Sequence, residues 1–258
     1  MKLKKFACCS ILLTSVCYLS AAYSSEILPT TMNDEHSVAF VQNQVDQNMS
    51  VGRAIKSIVR HYPQEAASIV STALDMYPLQ YKEIIHAAIS AQPTLTQEVV
   101  TIALSKGITS CSSIVETAIN AEPSYADFVV TAAANSTPSE LDEIVRIAVI
   151  TEPDSADYIV QSLAKEHPSK LVEILTSAIG AVPLVGEYVV EALLAAFPND
   201  AEQVVTTAVR ESSAQREQVI KIIETAQNSG VNQEELEKYA TNGGATAEEL
   251  AQVLDKTN

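Results

Sequence analysis

The sequence predicts an all-α fold, an α-solenoid of stacked antiparallel helical hairpins with fifteen residues per helix and thirty per hairpin. Three observations predict it. Nine prolines, at 63, 78, 93, 123, 138, 153, 168, 183 and 198, fall on one fifteen-residue grid whose only empty slot is Ile108. With each proline counted as position 1, positions 4, 7, 8, 11 and 12 are predominantly apolar, the spacing of a helix with one buried stripe. A second period of thirty residues lies beneath the first: position 12 is β-branched in alternate units (Ile89, Ile119, Val149, Ile179, Val209) and Leu or Ala in the others (Leu74, Leu104, Ala134, Ala164, Leu194). A fixed short period of this kind marks a repeat architecture.

Proline lacks the backbone donor and clashes with the preceding turn, so it cannot continue the helix before it. Each unit is therefore one helix of roughly eleven residues and a short connection. One continuous supercoiled helix is excluded, because each internal proline would cost about 3 kcal/mol. Short connections set neighbouring helices antiparallel, and the alternation of two helix kinds makes the hairpin the stacking unit. Position 2 is often a capping residue with an acid or amide three places on, as in Thr94 with Gln97, Ser124 with Asp127, Ser139 with Asp142 and Asn199 with Glu202. That pattern predicts a capping box, with the proline outside the first turn. In architecture the chain resembles the HEAT- and TPR-like helical repeats over roughly residues 48–227, without the TPR consensus and with a shorter unit than HEAT. The resemblance implies an extended surface for binding a protein or peptide.

Taken in order, residues 1–24 read as a secretory signal peptide. Lys2, Lys4 and Lys5 precede an apolar run from Phe6 to Ser20, and Ser20-Ala21-Ala22 or Ala22-Tyr23-Ser24 offers small residues for cleavage. The run is too short and too interrupted to span a membrane, and Thr14-Ser15-Val16 before Cys17 is a poor lipidation signal. Its removal takes Cys8, Cys9 and Cys17, three of the sixteen basic residues and none of the thirty-two acidic ones, leaving a net charge of −19. Cys111 remains alone, so no internal disulfide forms in a compartment that permits one; on position 4 of the stripe it reads as a core thiol.

Residues 25–47 read as a polar leader whose end starts a helix near Val38 to Val45, and residues 48–227 as the repeat domain. Its first unit is degenerate, with Ala54, Ile55, Ile58 and Val59 on positions 7, 8, 11 and 12. The last unit puts Val219, Ile220 and Ile223 in register while Arg216 and Glu224 replace apolar residues, as capping units require. Residues 228–258 are expected to form either a helical C-terminal cap or a loosely attached tail, with Asn232/Glu235 and Thr246/Glu249 opening two helices around Asn242-Gly243-Gly244.

A chain this acidic repels phosphate backbones, which argues against nucleic acid as a partner, and after signal removal no membrane insertion is expected. Nucleophile-elbow, zinc-protease, phosphate-loop and Cys-x-x-Cys motifs are missing. His36, His61, His86 and His167 share no metal-ligand spacing and read as surface residues, so no metal, cofactor or catalytic residue is expected. One feature stands out: Asp127-Phe128, Asp157-Tyr158 and Glu187-Tyr188 recur every thirty residues, each after Ala126, Ala156 or Gly186. Position 6 lies about 200° round the helix from position 4, away from the stripe. These rings either cover the next hairpin or form a ladder for a partner. The expectation is an exported, periplasmic or extracellular, non-enzymatic scaffold that binds a protein or peptide. Its alternatives are a self-associating structural or matrix protein and a carbohydrate binder using the ladder.

Overall fold

The computed structural model describes residues 34–48 and 50–254; the expected signal peptide and the start of the leader lie outside the described residues. Fifteen α-helices and no strand are found among the described residues. They are α1 (Asp34–Asn48), α2 (Val51–His61), α3 (Ala66–Met76), α4 (Tyr81–Ala91), α5 (Thr96–Lys106), α6 (Cys111–Ala121), α7 (Ala126–Ser136) and α8 (Leu141–Thr151). After these come α9 (Ala156–Glu166), α10 (Leu171–Ala181), α11 (Gly186–Ala196), α12 (Ala201–Glu211), α13 (Arg216–Asn228), α14 (Gln233–Gly243) and α15 (Ala247–Leu254).

Every proline corner is made the same way. The residue before proline is driven out of the α region by the pyrrolidine ring; here it has φ between −125° and −155° and ψ between 55° and 91°. The proline then opens a three-residue 3-10 turn that runs straight into the next α-helix. Its missing donor costs nothing at a first helical position. Two backbone bonds carry the chain through the bend, as at Pro78: Tyr77 N–H donates to the Ala73 carbonyl (2.8 Å), and Gln80 N–H donates to the Tyr77 carbonyl (2.9 Å).

This geometry corrects the expected capping boxes. Position 2 lies inside the 3-10 turn rather than ahead of the helix, and no side chain caps these turns or the helices that follow them. Two of the four position-2 side chains bond backwards instead, Ser124 Oγ donating to Glu122 Oε1 (2.6 Å) and Thr94 Oγ1 accepting from Gln92 Nε2 (3.0 Å). At the empty slot the device changes. Gly107 ends α5 in the left-handed region at φ 59°, and Ser110 caps α6 by accepting from Ser113 N–H at 3.3 Å.

From α2 to α14 each helix packs chiefly on the helices two places away, so even-numbered and odd-numbered helices form two layers. The buried stripe lies between them. Positions 7, 8 and 11 are buried in every unit from Pro63 to Ser212; position 12 is buried except at Leu104, and position 4 except at Tyr81 and Ala201. Same-layer neighbours are stitched by side chains 31 residues apart: Gln161 Nε2 donates to the Ala192 carbonyl (3.2 Å), Ser90 Oγ to the Ala121 carbonyl (3.2 Å), and Lys106 pairs with Asp75. The repeat is thirty residues, and the contact offset is one more.

The array extends past the grid at both ends. Residues 34–47 of the expected leader belong to α1, which buries Val41 and sets Phe40 edge-on to Tyr62 (5.8 Å between centroids). In α13 the buried face comprises Gln218, Val219, Ile222 and Ile223, with Ile220 only half-buried. The expected register is therefore one residue out. Without a proline at 213, the chain turns through Ser212–Gln215, with Gln215 N–H donating to the Ser212 carbonyl (2.8 Å), and the helix starts rotated.

Past the grid, α14 packs on α12 and α15 on α13, continuing the two layers. A Cβ at Gly243 would stand 2.7 Å from Val209 Cβ and 2.8 Å from the Thr206 carbonyl oxygen, so α14 reaches α12 because position 243 lacks a side chain. Thr246 and Glu249 do form a reciprocal box: the Glu249 carboxylate accepts from Thr246 N–H (2.7 Å), and Thr246 Oγ1 accepts from Glu249 N–H (3.3 Å).

Candidate binding surface

The first turns of α7, α9 and α11 carry the three acid–aromatic pairs. Positions 7 and 8 turn into the core, which sends position 6 outward. Phe128, Tyr158 and Tyr188 are 43%, 66% and 58% exposed, and Asp127, Asp157 and Glu187 beside them are half-buried. None of the three rings is buried by the neighbouring hairpin. Phe128 leans on Tyr125 of its own entry turn, with centroids 5.2 Å apart. The small residue at position 4 has a packing reason: a Cβ at Gly186 would meet Ile222 Cδ1 of α13 at 3.2 Å.

A groove of about 450 Å³ runs between α9 and α11, with Asp154 and Asp157 on one wall and Val182, Leu184 and Tyr188 on the other. Leu184 is 64% exposed, an aliphatic side chain left in water beside the ring. A second groove, about 370 Å³, follows between α11 and α13 and is lined by Glu187 and Glu191. Asp127, Asp154, Asp157, Glu187 and Glu191 have no basic partner among the described residues. An acid in a first helical turn is favoured by the helix dipole, so the carboxylates have a local reason to be there.

The even layer offers a different concavity, about 490 Å³, where Arg53 and Lys56 of α2, Lys82 and His86 of α4 and Glu116 of α6 surround a floor that includes Ala87. None of these three cations forms a salt bridge among the described residues. Residues 50–92 carry four basic and three acidic side chains, whereas residues 93–212 carry five and seventeen. Stacking turns that difference along the chain into a charge gradient along the array. The difference is readable from a sliding count of charge along the sequence.

Cys111 is buried, with its sulfur 3.4 Å from Thr137 Oγ1, and burial pushes the thiol up, which keeps it protonated. His36, His61 and His86 are exposed, while His167 is half-buried at a corner. No group of three or more His, Cys, Asp or Glu side chains is placed to hold a metal among the described residues. None of the described helices is long and apolar enough to cross a membrane.

Fold and surface together define an α-solenoid of helical hairpins with grooves between adjacent repeats. The chain matches no family model, no curated protein and no solved structure in comparisons with each.

Proposed function

We propose that this protein is an exported, non-enzymatic scaffold that binds a protein or peptide, in the cell envelope or outside the cell, along the faces of α7, α9 and α11. The observation that carries the reading is the exposure of Phe128, Tyr158 and Tyr188 at the same position of three successive odd-layer helices. Exposed rings held on a rigid backbone lose little entropy on binding and dominate contact energetics where they occur. The unpaired acids beside them favour a ligand with basic side chains, and the Leu184 wall favours one with apolar ones. The export part of the reading rests on the lysine-led apolar start of the sequence.

Selection of a displayed random-peptide library on the immobilised protein tests the reading. Enriched peptides should combine Lys or Arg with apolar residues and lose binding to the Phe128→Ala/Tyr158→Ala/Tyr188→Ala variant, whose helical circular dichroism should match the parent. Unchanged binding by a folded triple variant would remove the ladder from the function.

A further inference from the structure

We infer that the ladder's ligand is a polyproline-II segment of a partner protein with a Lys or Arg at every third residue. The inference rests on the peptide-binding reading and adds the conformation and the spacing. Packed helices lie about 8–10 Å apart, and here direct contacts set the distance: Gln161 of α9 bonds to Ala192 of α11, and Thr131 of α7 meets Ser162 of α9 at 3.4 Å. The acid–ring pairs therefore repeat at about 8–10 Å.

A polyproline-II chain rises about 3.1 Å per residue with three residues per turn, so it returns to the same face every 9.3 Å or so. One turn matches one rung. An extended strand fits badly, because its side chains alternate and residues on one face recur at about 6.6 Å. Strand addition is also closed off, since the ladder sits on helices whose backbone groups are bonded internally and which present no sheet edge.

The walls suit the same ligand. Leu184, Val182 and Tyr188 offer an apolar and aromatic side to proline rings, the way such segments dock elsewhere. Across the groove, Asp154 and Asp157 offer unpaired carboxylates to a cation projecting once per turn, and Glu187 with Glu191 repeats the offer one hairpin on.

Fluorescence anisotropy on the full chain with three labelled twelve-residue peptides tests this. The peptides are (Pro-Pro-Lys)4, the same composition with its lysines contiguous, and (Pro-Pro-Glu)4. The first should bind at least about tenfold tighter than the second, and the third should not bind. Binding of the first should fall with Phe128→Ala/Tyr158→Ala/Tyr188→Ala and, by about fivefold or more, with the charge-only double variant Asp157→Asn/Glu187→Gln, which keeps the test open if the triple variant misfolds. Equal affinity for both lysine arrangements, lost with the rings, would overturn the spacing while sparing the peptide-binding reading. Binding that ignores both sets of substitutions, or no binding by any of the three, would overturn the inference, and the library selection then judges the broader reading by itself.

Discussion

Between Pro63 and Ser212 one joint is used at every corner but one, whereas beyond Ser212 the joints differ from it and from one another. In the gridded part an extended residue, a proline and a 3-10 turn set every corner but one, and positions 7, 8 and 11 do the packing. In the C-terminal part α14 depends on Gly243, and α15 depends on the Thr246–Glu249 box and on Arg216 reaching across from α13. The first design tolerates the loss of a whole unit, because the joint left behind is the same. The second has no spare for any of its parts.

Deletions break the comparison most sharply. Removing Pro123–Glu152 takes out α7 and α8, and α9 and α10 can then stack on α5 and α6; the shortened protein should unfold cooperatively, with proportionate helicity. Removing only Pro123–Thr137 puts α8, an even-layer helix, into the odd layer and should abolish cooperative unfolding in urea. Equal tolerance of the two would remove the two-layer assignment.

Two glycines sharpen it further. Gly243→Ala forces a methyl against Val209 and the Thr206 carbonyl, a backbone atom that cannot step aside, and should cost about 1–3 kcal/mol. Gly180→Ala, on exposed α10 surface with nothing within 4 Å, should instead stabilise by up to about 1 kcal/mol. Urea midpoints that move the same way would contradict the contrast.

Glu249 gives an effect that fades with pH. Burial alone would push its carboxyl up, but hydrogen bonds from Thr246 and Arg216, with the Arg216 charge, outweigh burial and hold it below the usual value. The unfolded chain then takes up this proton at a higher pH than the folded one, so the stabilisation is present above the ordinary glutamate range and is lost as pH falls through the lowered value. Glu249→Gln should cost about 1–2 kcal/mol at neutral pH, less as the pH drops, and the difference between variant and parent should vanish in acid. A gap that stays constant with pH would separate the stabilisation from the charge.

Much of this was legible in the sequence because fifteen residues return the chain to the same place in the stack. Ile69, Ile84 and Val99 could be assigned to the core without knowing what they touch, and the outward direction of Tyr158 followed from turn angle alone. Hidden were the features set by another unit. The partners of Tyr188 in its groove, Asp154 and Asp157, come from the previous hairpin, and their side of the groove depends on a contact offset of 31 rather than thirty. The slip in α13 follows from a turn without proline, where periodicity no longer sets helix rotation. The misread caps have a local cause: Ser124 followed by Asp127 fits a box equally well until Pro123 is found inside the turn.

One corner between α2 and α12 is unlike its neighbours. At Gly107 the rod turns on a residue with positive φ and no ring to stiffen it. It separates α2–α4, where the unpaired cations sit, from α7–α11, where the acids sit. Both layers nevertheless run on past it, α4 on α6 and α5 on α7, so the stack and not the corner ties the basic stretch to the acidic one.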